Sequence, residues 1–231
     1  MEFGAEFVFD SIASVSLIGE TKAISLASGK IVEAKNVIIA SGANARKLGV
    51  PNESKFIGKG VSYCATCDGA FFKGKTVAVI GGGNTAAEDA LYLEKLAKKV
   101  YMVHRRDALR ADDILVKRLE KSNVEIVWDS VVENLGGEDK ITQLTLKNIK
   151  TNALTTISVD GVFVAIGQTP NSQGFENISL SSGGYIIADE NMHTNIDGVY
   201  AVGDVREKSL RQVVTACADG AIAANAIVNG I

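Results

Sequence analysis

Apolar and polar residues alternate along two stretches of the chain in nearly the same order. Residues 7–11 (FVFDS) resemble residues 126–130 (IVWDS), and alternating apolar segments with glycine-containing turns follow each of them. This alternation predicts two antiparallel meanders. Each meander leads into an apolar strand, at residues 37–40 in the first copy and 162–165 in the second. The pattern predicts a duplicated domain, with a longer hairpin at residues 148–155 in the second copy.

A strand, a glycine turn, a helix and another strand precede the second meander. The run Thr76 to Ile80 leads into Gly81-Gly82-Gly83, a helix is predicted to about Leu96, and a strand covers Val100 to Val103. This is the order of a dinucleotide-binding unit. Nothing comparable precedes the first meander, so we expect the sequence to begin partway through its first domain. The predicted fold class is α/β, with two nucleotide-binding domains of the FAD/NAD(P) type built from ββα-type sheets and β-meanders, the first truncated at its N-terminus.

Composition narrows the classes of partner. The 231 residues are 46% hydrophobic and 22% charged, with 23 Gly and 2 Pro, which is typical of a globular protein with a buried core. A formal net charge of -3 disfavours nucleic acid and membrane surfaces as partners. The start of the sequence has no charged and then apolar leader, and no apolar run reaches the length of a membrane span of about 18 residues. We therefore predict a cytoplasmic protein.

The glycine turn is a candidate phosphate site. Gly81 and Gly83 follow an apolar strand, and Asn84, Thr85 and Ala86 begin the predicted helix. Glycines at these positions let backbone N–H groups approach a pyrophosphate at the positive end of a helix. The alternative is a tight turn with no ligand.

Cations follow the next strand, where an NAD-binding unit would place Asp or Glu to hold the ribose hydroxyl. His104, Arg105 and Arg106 stand there, with Arg110 close behind. Guanidinium groups would bind the 2'-phosphate of NADPH through charge-assisted hydrogen bonds. The alternative is a solvated basic turn, and Asp107 is a candidate partner for one of the arginines.

Two of the three cysteines form a C-x-x-C pair. Cys64 and Cys67 are separated by two small residues and precede a glycine, so they can close and reopen a disulfide. Zinc would need four ligands, but Cys217, His104 and His193 do not stand at ligand spacing. We predict a redox pair and no metal.

Asp68 directly follows the second cysteine. A carboxyl group beside a thiolate can act as a general acid and base. The alternative for Asp68, on spacing alone, is a helix N-cap or a turn residue.

A third candidate region lies near the C-terminus. The strand at residues 199–202 ends at Gly203 and Asp204, which places a carboxylate at the edge of a sheet where nucleotides bind. A sugar hydroxyl is its expected partner, and a helix cap is the alternative. Arg211 and Gln212 then open an alanine-rich helix. Within it, Cys217 is predicted to be a small buried apolar residue.

Taken together, five motifs resemble the low-molecular-weight thioredoxin reductase family. The resemblance runs from about residue 6 to the end, and it implies an NADPH domain at residues 43–163 inserted in a partial FAD domain of residues 1–42 and 164–231. The motifs are CATCDG at 64–69, GGGNTA at 81–86, HRRD at 104–107 with Arg110, AIG at 165–167, and GDV at 203–205 with Arg211-Gln212.

The resemblance also implies roles. Hydride would pass from NADPH to FAD, and electrons would pass to the Cys64–Cys67 disulfide and then to thioredoxin. Cys67 would face the flavin, Cys64 would attack the partner disulfide, and Asp68 would supply protons. A homodimer is also implied. The implied cofactor-binding residues are Ser41, Gly42, Gly81, Gly83, Asn84, Thr85, Ala86, His104, Arg105, Arg106, Arg110, Ile166, Gly167, Gly203, Asp204, Arg211, Gln212 and Val213.

Two alternatives stay open at this point. The flavoprotein subunit of an alkyl hydroperoxide reductase shares the CATCDG region, with thioredoxin-like domains ahead of it. A catalytically inactive NADPH-binding fragment is the alternative outside enzymes. A ferredoxin-dependent reductase is disfavoured, because the dinucleotide turn and the arginines for NADPH are present.

Overall fold

The computed structural model describes residues 4–230 and contains short strands and five α-helices in that range. The helices are α1 (Glu53–Phe56), α2 (Ala65–Asp68), α3 (Asn84–Glu94), α4 (Asp113–Glu120) and α5 (Val213–Asn229), with 3-10 turns at Gly69–Phe72 and Gly203–Val205. The strands are β1 (Ile12–Ser16), β2 (Lys22–Leu26), β3 (Ile31–Ala34), β4 (Val37–Ile39), β5 (Ala43–Ala45), β6 (Val61–Ser62), β7 (Thr76–Gly81), β8 (Lys99–Val103), β9 (Glu125–Val127), β10 (Ser130–Gly136), β11 (Gln143–Asn148), β12 (Leu154–Ser158), β13 (Gly161–Ala165), β14 (Gln168–Pro170) and β15 (Val199–Ala201).

The chain divides into two compact units. The first unit contains the residues up to Asn44 together with those from Thr169 onward, and the second unit contains Ala45–Gln168. The sequence predicted the divisions after residues 42 and 163, and the structure places them after residues 44 and 168. The assignment of one cofactor to each unit stays a prediction.

A five-stranded parallel sheet forms the centre of the second unit, in the order β6-β13-β7-β8-β9. Successive side chains of a strand point to opposite faces. Accordingly, Val77 and Val79 of β7 pack with the alanine stripe of α3, whereas Ala78 and Ile80 pack toward the meander. The stripe of Ala86, Ala87 and Ala90 is fully buried, and its small side chains let α3 lie close to the sheet.

Both predicted meanders are present, one in each unit. Strands β1-β2-β3 and β10-β11-β12 are antiparallel three-stranded sheets. Each has a register irregularity in its first hairpin, between Ile12 and Ser14 and between Val132 and Asn134. A register irregularity in the first hairpin of both meanders supports a duplication. The longer hairpin is also present, with the backbone N–H of Asn148 donating to the carbonyl oxygen of Ala153.

The first unit pairs β4 with β15 in parallel, and the backbone N–H of Val202 continues the pairing to the carbonyl oxygen of Ile39. Helix α5 follows and ends at Gly230, which has a left-handed backbone typical of a helix C-cap. No helix within residues 4–230 combines the length and apolar character that a membrane crossing requires. The parallel sheet with its helices and the antiparallel meanders agree with the predicted α/β fold class.

The predicted burial of Cys217 is wrong, because its side chain is exposed. Helix α5 turns about 100° per residue, so Cys217 lies on the opposite side from the buried Ala226 and well away from Ala223. An alanine-rich composition predicted the helix but did not identify its buried face.

Candidate functional site

Cys64 and Cys67 form a disulfide, with their Cα atoms 5.3 Å apart. Cys64 is the N-cap of α2, and the backbone N–H of Cys67 points to Cys64 Sγ at 3.2 Å. Thr66 Oγ1 lies 3.4 Å from the same sulfur atom. Cys67 is exposed and Cys64 is half-buried, so the disulfide lies at the surface of its unit.

Asp68 is held by a serine that sequence reasoning missed. The hydroxyl of Ser62 donates to Asp68 Oδ2 at 2.7 Å. Ser62 ends β6 and is only 6% exposed. The alternative that Asp68 serves as a side-chain helix cap is not what the structure shows, because Asp68 makes no capping hydrogen bond to the turn that follows it. A small polar residue two positions before the first cysteine was the only signal in the sequence.

A buried glutamate fixes the segment that precedes the disulfide. Glu53 is 3% exposed and accepts hydrogen bonds from the backbone N–H groups of Leu48 and Gly49, each at 2.9 Å. The hydroxyl of Tyr63 also donates to Glu53, at 2.8 Å. Burial raises the pKa of Tyr63 above its usual range, and the carboxylate of Glu53 raises this pKa further, so the phenol stays protonated.

The glycine turn packs closely on two sides and is open on a third. A Cβ atom at Gly81 would overlap the carbonyl oxygen of Ala165 and crowd Ala86. At Gly82 it would overlap the ring of His104, whereas at Gly83 it would meet no atom within 4 Å. Gly83 is the N-cap of α3, so the open space lies at the N-terminus of that helix, where an anion is favoured.

The arginine loop is tied to this turn by its backbone. The N–H of Arg110 donates to the carbonyl oxygen of Gly82 at 2.7 Å. Asn84 and Asp112 exchange two hydrogen bonds of 2.8 Å, one from the side-chain amide of Asn84 to Asp112 Oδ2 and one from the backbone N–H of Asp112 to Asn84 Oδ1. The structure therefore brings the predicted glycine turn and the predicted cations together, and adds Asp112.

All three arginines of the loop, Arg105, Arg106 and Arg110, are exposed. The suggestion that Asp107 pairs with one of them is wrong. Its carboxylate instead lies 3.1 Å from the ammonium group of Lys150, which also contacts Asp129 at 2.9 Å. Lys150 lies in the hairpin of the meander, a position that sequence spacing could not place beside Asp107.

His104 is buried behind the turn and does not lie among the exposed cations. It is 5% exposed, and its Nε2 is 3.1 Å from the carbonyl oxygen of Ala108, which requires a proton on Nε2. Burial lowers the pKa of His104, and the charges of Arg106 and Arg110 lower this pKa further, against the opposing effect of hydrogen bonds to the backbone. The neutral ring is therefore placed to support the loop.

A second glycine turn occurs in the first unit, at Gly203 and Asp204. Gly203 has φ of 71°, a left-handed conformation that favours glycine, and its N–H donates to Asp219 Oδ2 at 2.9 Å. The same oxygen atom lies 2.6 Å from Lys208 Nζ and 3.4 Å from Arg206 Nε. Asp219 was missed in the sequence, where its signal was a lone acidic residue in an alanine-rich helix.

The residues that open α5 have defined positions. Arg211 stacks on the ring of Tyr185, with its Cζ atom 3.9 Å from the ring centroid. Gln212 and Thr215 form a reciprocal capping box, and Val213 is the exposed first residue of the helix. These contacts fix the start of a 17-residue helix beside the Gly203 turn.

The predicted residues at the ends of β4 and β13 lie in structured turns. Ser41 Oγ donates to the carbonyl oxygen of Asn171 at 2.6 Å, and the N–H of Asn171 donates to the carbonyl oxygen of Gly42 at 2.9 Å. In the second unit the carbonyl oxygen of Gly167 accepts from the N–H of Arg46 at 3.0 Å. The side chain of Ile166 is 37% exposed.

Comparison with known proteins identifies the family. The pyridine nucleotide-disulphide oxidoreductase profile matches residues 4–220. The thioredoxin reductase of Peptoclostridium acidaminophilum is 49% identical, over 96% of this chain and 73% of that protein. This chain belongs to the thioredoxin reductase family. The enzyme of Bacillus subtilis is 44% identical over 98% of the chain and 72% of its own length.

Solved structures agree with the family assignment. The thioredoxin reductase of Streptococcus pyogenes superposes with a TM-score of 0.91 at 42% identity, covering 99% of this chain and 75% of that one. The chain thus spans about three quarters of the length of these family members. The comparisons confirm the predicted family and, with it, an NADPH-dependent flavoprotein disulfide oxidoreductase whose cofactors are FAD and NADPH. The disulfide between Cys64 and Cys67 fits this chemistry.

Proposed function

We propose that this chain uses the Cys64–Cys67 disulfide to pass two electrons from NADPH to the disulfide of thioredoxin. The observation that carries the proposal is a surface disulfide followed by a carboxylate that is held in place by Ser62. The net reaction takes NADPH, one proton and a protein disulfide, and gives NADP⁺ and a protein dithiol. FAD, when bound, carries the electron pair between the nicotinamide and the disulfide.

Each residue of the disulfide region has one task in this proposal. Cys67, the exposed cysteine, receives electrons on the flavin side. Cys64 is freed as a thiolate and attacks a sulfur atom of the thioredoxin disulfide, forming a mixed disulfide that Cys67 then resolves. Asp68 gives a proton to a departing thiolate and takes one back in the next half of the cycle.

Residues of the second unit fit NADPH. The space beside Gly83 is open, and it lies at the N-terminus of the 11-residue helix α3, which suits a pyrophosphate. Three exposed guanidinium groups stand in the loop whose backbone contacts Gly82. Arg105, Arg106 and Arg110 would hold the 2'-phosphate, while His104 would support the loop from behind.

Residues of the first unit fit part of FAD. Asp204 Oδ1 is buried and has no hydrogen-bond partner among the residues that the structure describes. An acceptor left unpaired in this way is unfavourable unless a donor reaches it, and a hydroxyl group of a nucleotide sugar or ribityl chain would do so. Gly203 precedes Asp204 in the turn, Arg211 Nε donates to the backbone carbonyl oxygen of Asp204 at 3.4 Å, and the capping box of Gln212 orders the start of α5.

Single cysteine substitutions test the proposed electron path. In the FAD-loaded protein, Cys64→Ser and Cys67→Ser should each reduce NADPH-dependent reduction of thioredoxin to below about one hundredth of the unmodified rate, since the dithiol can no longer form. The matched control is Cys217→Ser, which removes the exposed cysteine of α5. Full turnover by either site variant would contradict the proposal.

Charge removal tests the cofactor preference. Arg105→Ala combined with Arg106→Ala should weaken NADPH binding by about 1.5 to 3 kcal/mol for each charge-assisted hydrogen bond removed, and leave NADH binding nearly unchanged. The exposed Arg118 of α4 provides the control substitution Arg118→Ala. Equal dissociation constants for NADPH and NADH in the unmodified protein would contradict the assignment of the 2'-phosphate to this loop.

The proposal also includes a homodimer and a reducing compartment. A homodimer is supported by the family resemblance, and light scattering of the FAD-loaded protein would test it. A reducing compartment such as the cytoplasm is supported by cysteine use, since two of the three cysteines form the redox pair and no structural disulfide is needed.

A further inference from the structure

Ser62 has more hydrogen-bond partners than its single proton can serve. Its hydroxyl oxygen lies 2.7 Å from Asp68 Oδ2 and 3.3 Å from the carbonyl oxygen of Cys64. The same oxygen accepts the backbone N–H of Cys64 at 3.1 Å. Because a hydroxyl group has one proton and two lone pairs, it can donate to only one of these two acceptors at a time.

We propose that Ser62 is a positioning residue whose hydroxyl reverses direction with the protonation state of Asp68. When Asp68 is a carboxylate, Ser62 donates to it. When Asp68 carries a proton, Asp68 donates to Ser62 Oγ and Ser62 turns its own proton to the carbonyl oxygen of Cys64. No bond between heavy atoms forms or breaks in this reversal.

The arrangement matters because Asp68 must hold a proton in one half of the cycle and lack it in the other. A hydrogen-bond partner that can only donate would favour the carboxylate and resist its protonation. A hydroxyl group serves both states, since it is both donor and acceptor. Ser62 itself is 6% exposed, so its hydroxyl group is held by these protein partners.

The disulfide turn itself supplies the second acceptor. Cys64 contributes both the N–H that fixes Ser62 Oγ and the carbonyl oxygen that receives the reversed proton. The N–H of Asp68 also donates to this carbonyl oxygen, at 3.1 Å, so the three residues form one closed hydrogen-bonded group. The position of Asp68 is thereby coupled to the turn that carries the reactive sulfur atoms.

The inference rests on the proposed proton role of Asp68, and a double-mutant cycle separates the two claims. In the FAD-loaded protein, Ser62→Ala should lower kcat for thioredoxin reduction by about tenfold, the effect of removing one hydrogen bond, with both KM values nearly unchanged. In the Asp68→Asn background, Ser62→Ala should have almost no further effect on kcat, because the amide does not change its protonation state and no reversal of the hydroxyl is needed. Ser62→Thr keeps the hydroxyl group and should restore most of the rate.

Infrared spectroscopy gives a readout that needs neither cofactor nor thioredoxin. The difference spectrum between oxidised and dithiothreitol-reduced protein should contain a carboxylic acid carbonyl band that is absent in Asp68→Asn. Ser62→Ala should shift this band, and Ser62→Thr should not. The matched control is Ser122→Ala, which removes a hydroxyl that donates to the carbonyl oxygen of Leu119 at 2.7 Å in the same unit.

Several outcomes would overturn the inference. If Ser62→Ala is equally harmful with and without Asp68, or if Ser62→Thr is as slow as Ser62→Ala, the hydroxyl is not in the proton path. If Ser62→Ala leaves the infrared band at the same frequency, the hydroxyl group of Ser62 is likewise not in the proton path. If Asp68→Asn turns over at the unmodified rate, or the unmodified protein has no such band, the proton role of Asp68 fails and this inference fails with it.

Discussion

Two glycine turns, one in each compact unit, are supported by buried side chains that differ in charge. Each follows a parallel strand and precedes a helix, β7 with α3 in the second unit and β15 with α5 in the first. The turn at Gly82 rests on the buried neutral ring of His104. The turn at Gly203 rests on the buried carboxylate of Asp219, which is paired with Lys208.

The helix that follows each turn contains an aspartate with little exposure to solvent, and the two aspartates differ in their charged neighbours. Asp219 in α5 and Asp89 in α3 are both about a turn and a half past the start of their helices. Asp219 has two cations within 4 Å, whereas burial raises the pKa of Asp89 to about 6, with a further contribution from Glu88. Electrostatic pairing thus stabilises the turn at Gly203, whereas packing against the neutral ring of His104 stabilises the turn at Gly82. The two units should therefore respond differently to charge removal and to pH.

The largest effect should follow from Asp219→Asn. The amide can still accept from the N–H of Gly203, but Lys208, whose side chain is 8% exposed, loses its counter-charge. Removing one partner of a buried ion pair destabilises a protein by about 3 to 5 kcal/mol. Urea denaturation checks this, with the exposed Asp197→Asn as control. A loss under about 1 kcal/mol would mean that the pair does not hold the turn.

A smaller loss should follow from Gly82→Ala in the other turn. The new Cβ atom would overlap the ring of His104, so the ring must move and its hydrogen bond to Ala108 must lengthen. Overpacking of this kind costs about 1 to 3 kcal/mol. Gly83→Ala is the matched control for stability, because its Cβ atom would meet nothing within 4 Å and the backbone φ of -100° suits alanine. Equal stability of the two variants in thermal unfolding would contradict the packing role of His104.

The sequence predicted the glycine turns more fully than it predicted the side chains that support them. Glycines after apolar strands and before helices have a local signal, and so do the cations after β8. Asp219, sixteen residues beyond Gly203, and Ser62, six residues before Asp68, are brought to their partners only by the tertiary fold. His104 was grouped with the phosphate-binding arginines because it adjoins them, although the strand directs its ring into the protein. The exposure of Cys217 was missed for a related reason, since composition does not determine which face of a helix is buried.

A gain in stability should follow from Asp89→Asn at alkaline pH. With a pKa of about 6 in the folded protein against an ordinary 3.8, folded Asp89 binds more protons than the unfolded chain between these values, so stability falls as pH rises through this window. The uncharged amide avoids this penalty, and the gain at pH 8 should be about 1 to 2 kcal/mol, vanishing near pH 3. Denaturation midpoints at the two pH values test it, with Glu120→Gln at the exposed end of α4 as control. A loss at both pH values would mean that the carboxylate is paired after all, like Asp219.

The smallest effect should come from the protonation of His104, and it has the opposite sign. Burial and the charges of Arg106 and Arg110 lower the pKa of His104, so in the window just below its ordinary value of 6.5 the unfolded chain binds more protons than the folded protein. Stability from this group is therefore complete above about pH 6.5 and is lost as pH falls. His104→Gln keeps a donor for the carbonyl oxygen of Ala108 but cannot take up a proton, so the stability of this variant should depend less on pH between about 5 and 7.

Because Asp89 changes stability in the reverse direction over an overlapping pH window, the measurement should be made in the Asp89→Asn background. An unchanged pH dependence on adding His104→Gln would show that the ring is not held neutral, and the contrast between the two turns would then rest on packing at Gly82 alone.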